Sequence, residues 1–153
     1  MIRKILKYPS KQLRNVSTEV TNFKQMKALF WDLNETLKQH KGLGLAAPQI
    51  GISKRALIAK VKLSSSAPPQ AVLFINPVIV RKESEVGKSL EACLSVPGMS
   101  GYVERSIEIQ VQYQDIDETI KNAILLNEEA FLLQHEIDHL DGILYIDYIE
   151  ETK

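Results

Sequence analysis

The sequence predicts an α+β fold, on three observations. Phe23, Met26, Leu29, Phe30, Leu33 and Leu37 recur every three or four residues, the period of an amphipathic helix. Ile107, Ile109, Val111 and Tyr113 alternate with Glu108, Gln110, Gln112 and Gln114, as in a strand with one buried and one wet face. A second helix follows and carries H-E-x-x-H at His135-Glu136-Ile137-Asp138-His139. With 153 residues, the stretch 1–153 reads as a single domain large enough to bury a core.

Met1 to Pro9 carries charge, no long apolar run and no small-residue cleavage site, so no signal peptide is read. Ile2, Ile5 and Leu6 can anchor this segment to the body. Pro9 to Thr21 lacks a period. The first helix is capped by Thr21 or Asn22 and stopped by Gly42, with Lys38 and Lys41 suiting its negative end. Trp31 and His40 fall outside its apolar stripe, and His40 reads as a solvated helix-end residue. Gly42 to Gly51 is a loop of small residues that another backbone or a ligand can approach closely, with Gln49 as its polar group. It lacks the Lys-Ser/Thr of a phosphate loop and the third glycine of a dinucleotide fingerprint.

Arg55 to Val61 reads as a strand and Leu63 to Gln70, rich in serine and proline, as an exposed loop. Ala71 to Asn76 and Val78 to Arg81 are strand-like, with Pro77 a break or bulge between them. Leu90 to Gly98 ends in Pro97-Gly98, a turn signal that would display Cys93. Asp115 to Glu118 is a turn. Thr119 to Leu126 either pairs back on the preceding strand or begins the last helix. Asn127 caps the motif helix, Glu128 and Glu129 suit its first turn, and it ends near Gly142. Ile143 to Ile146 is a short extended segment before a charged tail.

Composition excludes several classes. Lys+Arg and Asp+Glu both number 19, so no basic excess points to direct, specific nucleic-acid binding or to an anionic membrane. No stretch is long and apolar enough to span a bilayer. A lone cysteine, Cys93, permits no internal disulfide and fits a reducing compartment.

The motif helix carries the chemistry. Positions four apart share a helix face, so His135 and His139 can hold one metal ion. Glu136 beside them can take the proton of a water activated by that ion. Two surface histidines would be the bland alternative, but these are two of only three histidines and their neighbours are largely apolar. A catalytic site wants a third protein ligand. The position three beyond Gly142, where metzincins have histidine, is Tyr145, a poor ligand. Asp147, Glu150 and Glu151 sit too close to fold back from a separate helix. Upstream, His40 and many carboxylates remain, and Cys93 is the strongest by ligand chemistry, since thiolate binds Zn²⁺ or Fe²⁺ well. The Leu94 N–H after it could face a developing oxyanion. A cysteine nucleophile with a histidine base would waste the H-E-x-x-H spacing.

Three ordered segments, Gly42 to Gln49, Glu91-Ala92-Cys93-Leu94-Ser95 and Gln134 to Gly142, resemble the signatures of peptide deformylase: G-x-G-x-A-A-x-Q, E-G-C-L-S and Q-H-E-x-D-H-L-x-G. The resemblance implies small mixed or antiparallel β-sheets around a central metal-binding helix, with the earlier helix added. It implies removal of the formyl group from the N-terminal formylmethionine of new polypeptides in a bacterial or phage-infected cytoplasm, or in an organelle for a processed form. Cys93, His135 and His139 would hold one divalent ion, Fe²⁺ with Zn²⁺, Ni²⁺ or Co²⁺ as substitutes. Glu136 would be the general base, and Gln49 and the Leu94 N–H the oxyanion donors. Leu43, Phe131 and Leu132 are candidate walls for the methionine side chain, and Gly44 a candidate for backbone pairing with substrate. Ala92 stands where the family usually has glycine, and Asn127-Glu128-Glu129 puts charge where the helix is often apolar. Many bacterial members carry a further C-terminal helix linked with ribosome docking; this sequence ends at Lys153, which puts that docking mode in question. The alternatives are a metallopeptidase-like hydrolase of another small amide, or an inactive relative serving as a binding module.

Overall fold

The computed structural model describes residues 1–151. Helix α1 spans Met26–His40. Strands β1 (Gly44–Ala46), β2 (Ala56–Val61), β3 (Gln70–Lys82), β4 (Val86–Cys93), β5 (Val96–Ser106), β6 (Glu108–Gln114) and β7 (Ile120–Leu126) follow. Helices α2 (Asn127–Leu140) and α3 (Tyr145–Glu151) close the order. The strands form a five-stranded sheet, β1-β2-β3-β6-β7, and a two-stranded sheet, β4-β5. Every pairing in both is antiparallel. This is the α+β architecture expected, with α2 at its centre.

Burial explains the strand patterns. Leu57, Ala59 and Val61 of β2 pack toward Ala130, Leu133, Ile137 and Leu140 of α2. Ala56 and Ile58 pack on the opposite face, with Leu29, Leu33 and Leu37 of α1. Covered on both faces, β2 reads as a continuous apolar run rather than an alternation. Strand β6 buries only Ile109, Val111 and Tyr113 against α2, and its glutamine face stays wetter, so its period of two is plain in the sequence. A third cluster joins the β4-β5 sheet to α3 through Cys93, Val96, Val103, Leu144, Tyr145 and Ile146. At the N-terminus Ile5 is buried, whereas Ile2 is exposed.

Several local expectations are corrected, and two open alternatives, at Pro77 and at Thr119 to Leu126, are decided. Lys41, not Gly42, adopts the left-handed conformation that ends α1 (φ 55°). The glycine loop contains β1 and a 3₁₀ turn over Ala47–Ile50. Pro77 is a bulge within one strand: the β3–β6 register shifts between Ile75 and Val78. Ile120–Leu126 pairs with β6. Asn127 is the first residue of α2 rather than its cap; its φ is 51° and its N–H donates to the Ile107 carbonyl. The turn beside Cys93 is Leu94-Ser95, because Cys93 pairs with Val96 and places Pro97 and Gly98 in β5. The segment read as extended, 143–146, enters α3 at Tyr145. There the Asp147 carboxylate accepts the Leu144 N–H at 3.1 Å and both Arg14 guanidinium nitrogens at 2.7 and 3.0 Å, a side-chain lock that apolar periodicity does not announce. Thr152 and Lys153, the end of the charged tail, lie outside the described residues.

Gly142 makes the turn from α2 to α3. Its φ is 73°, and a Cβ there would collide with the Arg14 backbone. Gly98 has a similar φ of 78° but open space around it. Gly142→Ala should therefore cost more than Gly98→Ala, which carries backbone strain alone, about 1–3 kcal/mol. Urea midpoints at unchanged slope measure both, and equal losses would contradict the steric account.

Candidate metal centre

Helix α2 is buried nearly all round, which sets its motif side chains in low-dielectric surroundings. Gln134 anchors it: its Nε2 donates to the Ser106 carbonyl at 2.9 Å and its Oε1 accepts the Ser106 N–H at 3.1 Å. His135 and His139 then project to one side, ring centroids 5.1 Å apart. Cys93, at the end of β4, meets them, with its Sγ 3.4 Å from His139 Nε2. One ligand atom from each of the three lies within 4.8 Å of the others. His40 is exposed, holds the Thr36 carbonyl through Nδ1 at 2.9 Å and is not part of this group.

The donor set fits a metal. His135 Nδ1 lies 2.8 Å from Glu91 Oε1, which leaves Nε2 free to ligate, the usual carboxylate–histidine arrangement at metal sites. Glu91 is fixed by Arg105, whose Nε and NH2 donate to its two oxygens at 2.8 Å each. Burial alone would raise the Glu91 carboxyl, but the Arg105 and His135 bonds outweigh it and hold it at about 2. Burial, the largest cause, holds His139 well below the ordinary imidazole value, so its ring stays neutral and able to ligate.

Glu136 is 3% exposed, and its Oε1 has no hydrogen-bond partner among the described residues. Burial, with the Glu91 charge adding and the His135 charge opposing, pushes it up to about 7, where a carboxylate can both take and return a proton. Gly44 makes room for it: a Cβ on Gly44 would stand 2.9 Å from Glu136 Oε2. Gln49 is fixed by the Ala46 N–H on its Oε1 (2.9 Å), while its Nε2 donates to Ser95 Oγ at 3.1 Å and lies 3.6 Å from Cys93 Sγ.

A cavity of about 740 Å³ opens onto these groups and is lined by Leu43, Gly44, Gln49, Leu94, Phe131, Leu132 and Glu136 among others. Leu43 is 64% exposed at its mouth, while Phe131 and Leu132 are half-buried in its wall. Ala92 also lines it and is not among the residues with positive φ, so its methyl needs no strained backbone.

Sequence reasoning missed the groups behind the candidate ligands. Glu91 had a signal: two residues before Cys93 on a strand, it shares that residue's face. Asp138 is a fixed position of the third signature segment; Arg105, which it holds at 2.7 Å, had no signal, because that pairing spans 33 residues.

Comparison with known proteins agrees with this geometry. The model of the polypeptide deformylase family matches residues 2–153. A peptide deformylase of Leptospira biflexa is 37% identical, over 99% of this chain and 90% of that relative. The structure of a class I type b peptide deformylase from Acinetobacter baumannii with Met-Ala-Ser bound is similar at a TM-score of 0.89 and 31% identity, covering 97% of this chain and 98% of that one. That of a probable peptide deformylase from Synechococcus phage S-SSM7 has a TM-score of 0.88 and 39% identity, covering 95% and 99%. The chain belongs to the polypeptide deformylase family.

Proposed function

We propose that residues 1–153 act as one catalytic domain that hydrolyses the formamide at the N-terminus of formylmethionyl polypeptides, releasing formate, with Cys93, His135 and His139 holding the metal. The observation that carries this reading is the convergence of that thiol and two imidazoles beside a buried Glu136 whose Oε1 has no hydrogen-bond partner among the described residues. One thiolate and two imidazoles suit several divalent ions; the family resemblance favours Fe²⁺, with Zn²⁺, Ni²⁺ or Co²⁺ able to replace it. Such an ion would supply Lewis acidity, lowering the pKa of water toward about 7, far below its bulk value, and polarising a carbonyl.

The chain's own residues do the rest. Glu136 takes the proton of the attacking water and delivers it to the amine nitrogen as the C–N bond breaks, so water and formamide become formate and a free N-terminus. Gln49 Nε2, on the Cys93 side of the cavity, and the Leu94 N–H, in the turn after Cys93, donate to the developing oxyanion, each worth roughly 2.7–4 kcal/mol of barrier. Leu43, Phe131 and Leu132 receive the methionine side chain. Gly44 lies on β1, a sheet-edge strand, so a substrate in extended conformation can pair with it. No helix among the described residues is long and apolar enough to cross a membrane; we place the reaction on nascent chains in a bacterial or phage-infected cytoplasm.

Formate release from formyl-Met-Ala-Ser by anaerobically loaded protein tests the activity, and no turnover at full metal occupancy would refute it. Cys93→Ser should lose most bound metal, whereas Glu136→Ala should keep the metal and lose turnover. Full occupancy in Cys93→Ser would remove Cys93 from the ligand set.

The pH dependence follows from Glu136. Below its pKa the carboxyl already carries a proton and cannot accept another, so kcat/KM should fall as pH drops through a midpoint at or below about 7. A bound cation shifts that midpoint downward. A profile with no acid limb would contradict the role of Glu136 as base.

A further inference from the structure

We infer that Tyr148 of α3 is a positioning residue of the metal centre, holding His135 in its ligating orientation through Asp138, Arg105 and Glu91. The inference rests on the ligand set proposed above. Tyr148 donates its hydroxyl to Asp138 Oδ2 at 2.9 Å, and the same oxygen accepts Arg105 NH1 at 2.7 Å. The Tyr148 ring lies against the Arg105 guanidinium, 5.0 Å from centroid to carbon. The guanidinium is thus held along its edge by two carboxylates and on its face by an aromatic ring, a geometry suited to arginine. Its remaining donors grip both oxygens of Glu91, and Glu91 fixes His135 Nδ1.

The path is continuous and mostly dry: the Arg105 and Glu91 side chains are each 5% exposed, while Asp138 is 19% exposed and Tyr148 half-buried. Asp138 is the more exposed link, and the Tyr148 hydroxyl limits its rotation. Burial and the Asp138 carboxylate push the Tyr148 phenol up to about 12, so it remains a donor over the enzyme's working range.

Helix α3 does not need this hydroxyl to stay docked. Asp147 ties it to Arg14, and Tyr145 and Ile146 are buried under it at 1% and 3% exposure. Tyr148→Phe therefore removes one hydrogen bond, keeps the ring over Arg105 and leaves the helix in place. A residue that only stabilises the fold and one that orients a ligand are then separable by what the metal reports.

The test uses the full chain loaded with Co²⁺, measuring the visible spectrum and the rate at which a chelator strips the ion, with the melting temperature as control. Partners behind metal ligands typically contribute 10–100-fold in affinity, and Tyr148 acts two links further back, so Tyr148→Phe should release Co²⁺ roughly 3–10-fold faster with a shifted ligand-field band. In a Glu91→Gln background, where the path is cut, the same substitution should have little further effect. A wild-type release rate and spectrum in Tyr148→Phe would overturn the inference, as would an equal acceleration in both backgrounds. Failure of the wild-type protein to bind Co²⁺ at all would instead overturn the ligand set on which the inference rests.

Discussion

Glu91 meets two demands at once. It neutralises Arg105 in a site where neither side chain reaches water freely, and it pairs with His135 Nδ1, leaving Nε2 as the ring nitrogen that a metal could take. Removing either member of such a pair strands the other charge, at a cost of about 3–5 kcal/mol. The pair also ties the β4-β5 hairpin to the central helix: Glu91 is on β4, Arg105 on β5, and His135 and Asp138 on α2. A charge that is expensive to bury is offset here by its partners, and the same contacts set the orientation of the His135 ring.

Around that pair the fold works as a frame with α2 at its middle. The five-stranded sheet covers one side of the helix, the β4-β5 hairpin supplies Cys93 and Glu91 from another, and the glycine loop brings Gln49 and Gly44 to the remaining approach. Each element does structural and chemical work together. Gly44 is small so that Glu136 can fit, and the tight Leu94-Ser95 turn that closes the hairpin also sets Cys93 beside an N–H and under the Gln49 amide. The low-dielectric setting that the core creates is what raises Glu136 into the range of a useful proton carrier.

Much of this was legible in the sequence because it is local. The i, i+4 histidines, the period of α1 and the alternation of β6 are each short-range patterns, and the three ordered motifs carried the family. The limits are equally physical. The β4-β5 hairpin escaped notice because its exposed positions include Val86, Leu90 and Tyr102 while its buried ones include Ser89, Glu91 and Arg105, which inverts the usual apolar-in alternation. Helix α3 hides for a related reason. It is short, and its start is set by Asp147 and Arg14, residues 133 positions apart. Tyr145, a poor ligand by its chemistry, is a buried ring stacked on His135, 6.0 Å between centroids, with its hydroxyl unpartnered among the described residues.

The central claim is that one thiolate and two imidazoles from this chain hold the catalytic ion. X-ray absorption at the metal edge of the anaerobically loaded protein reads that coordination directly. The account predicts one sulfur scatterer, from Cys93, and two imidazoles, from His135 and His139, with the sulfur lost in Cys93→Ser. A shell of nitrogen and oxygen alone in the unsubstituted protein would contradict it.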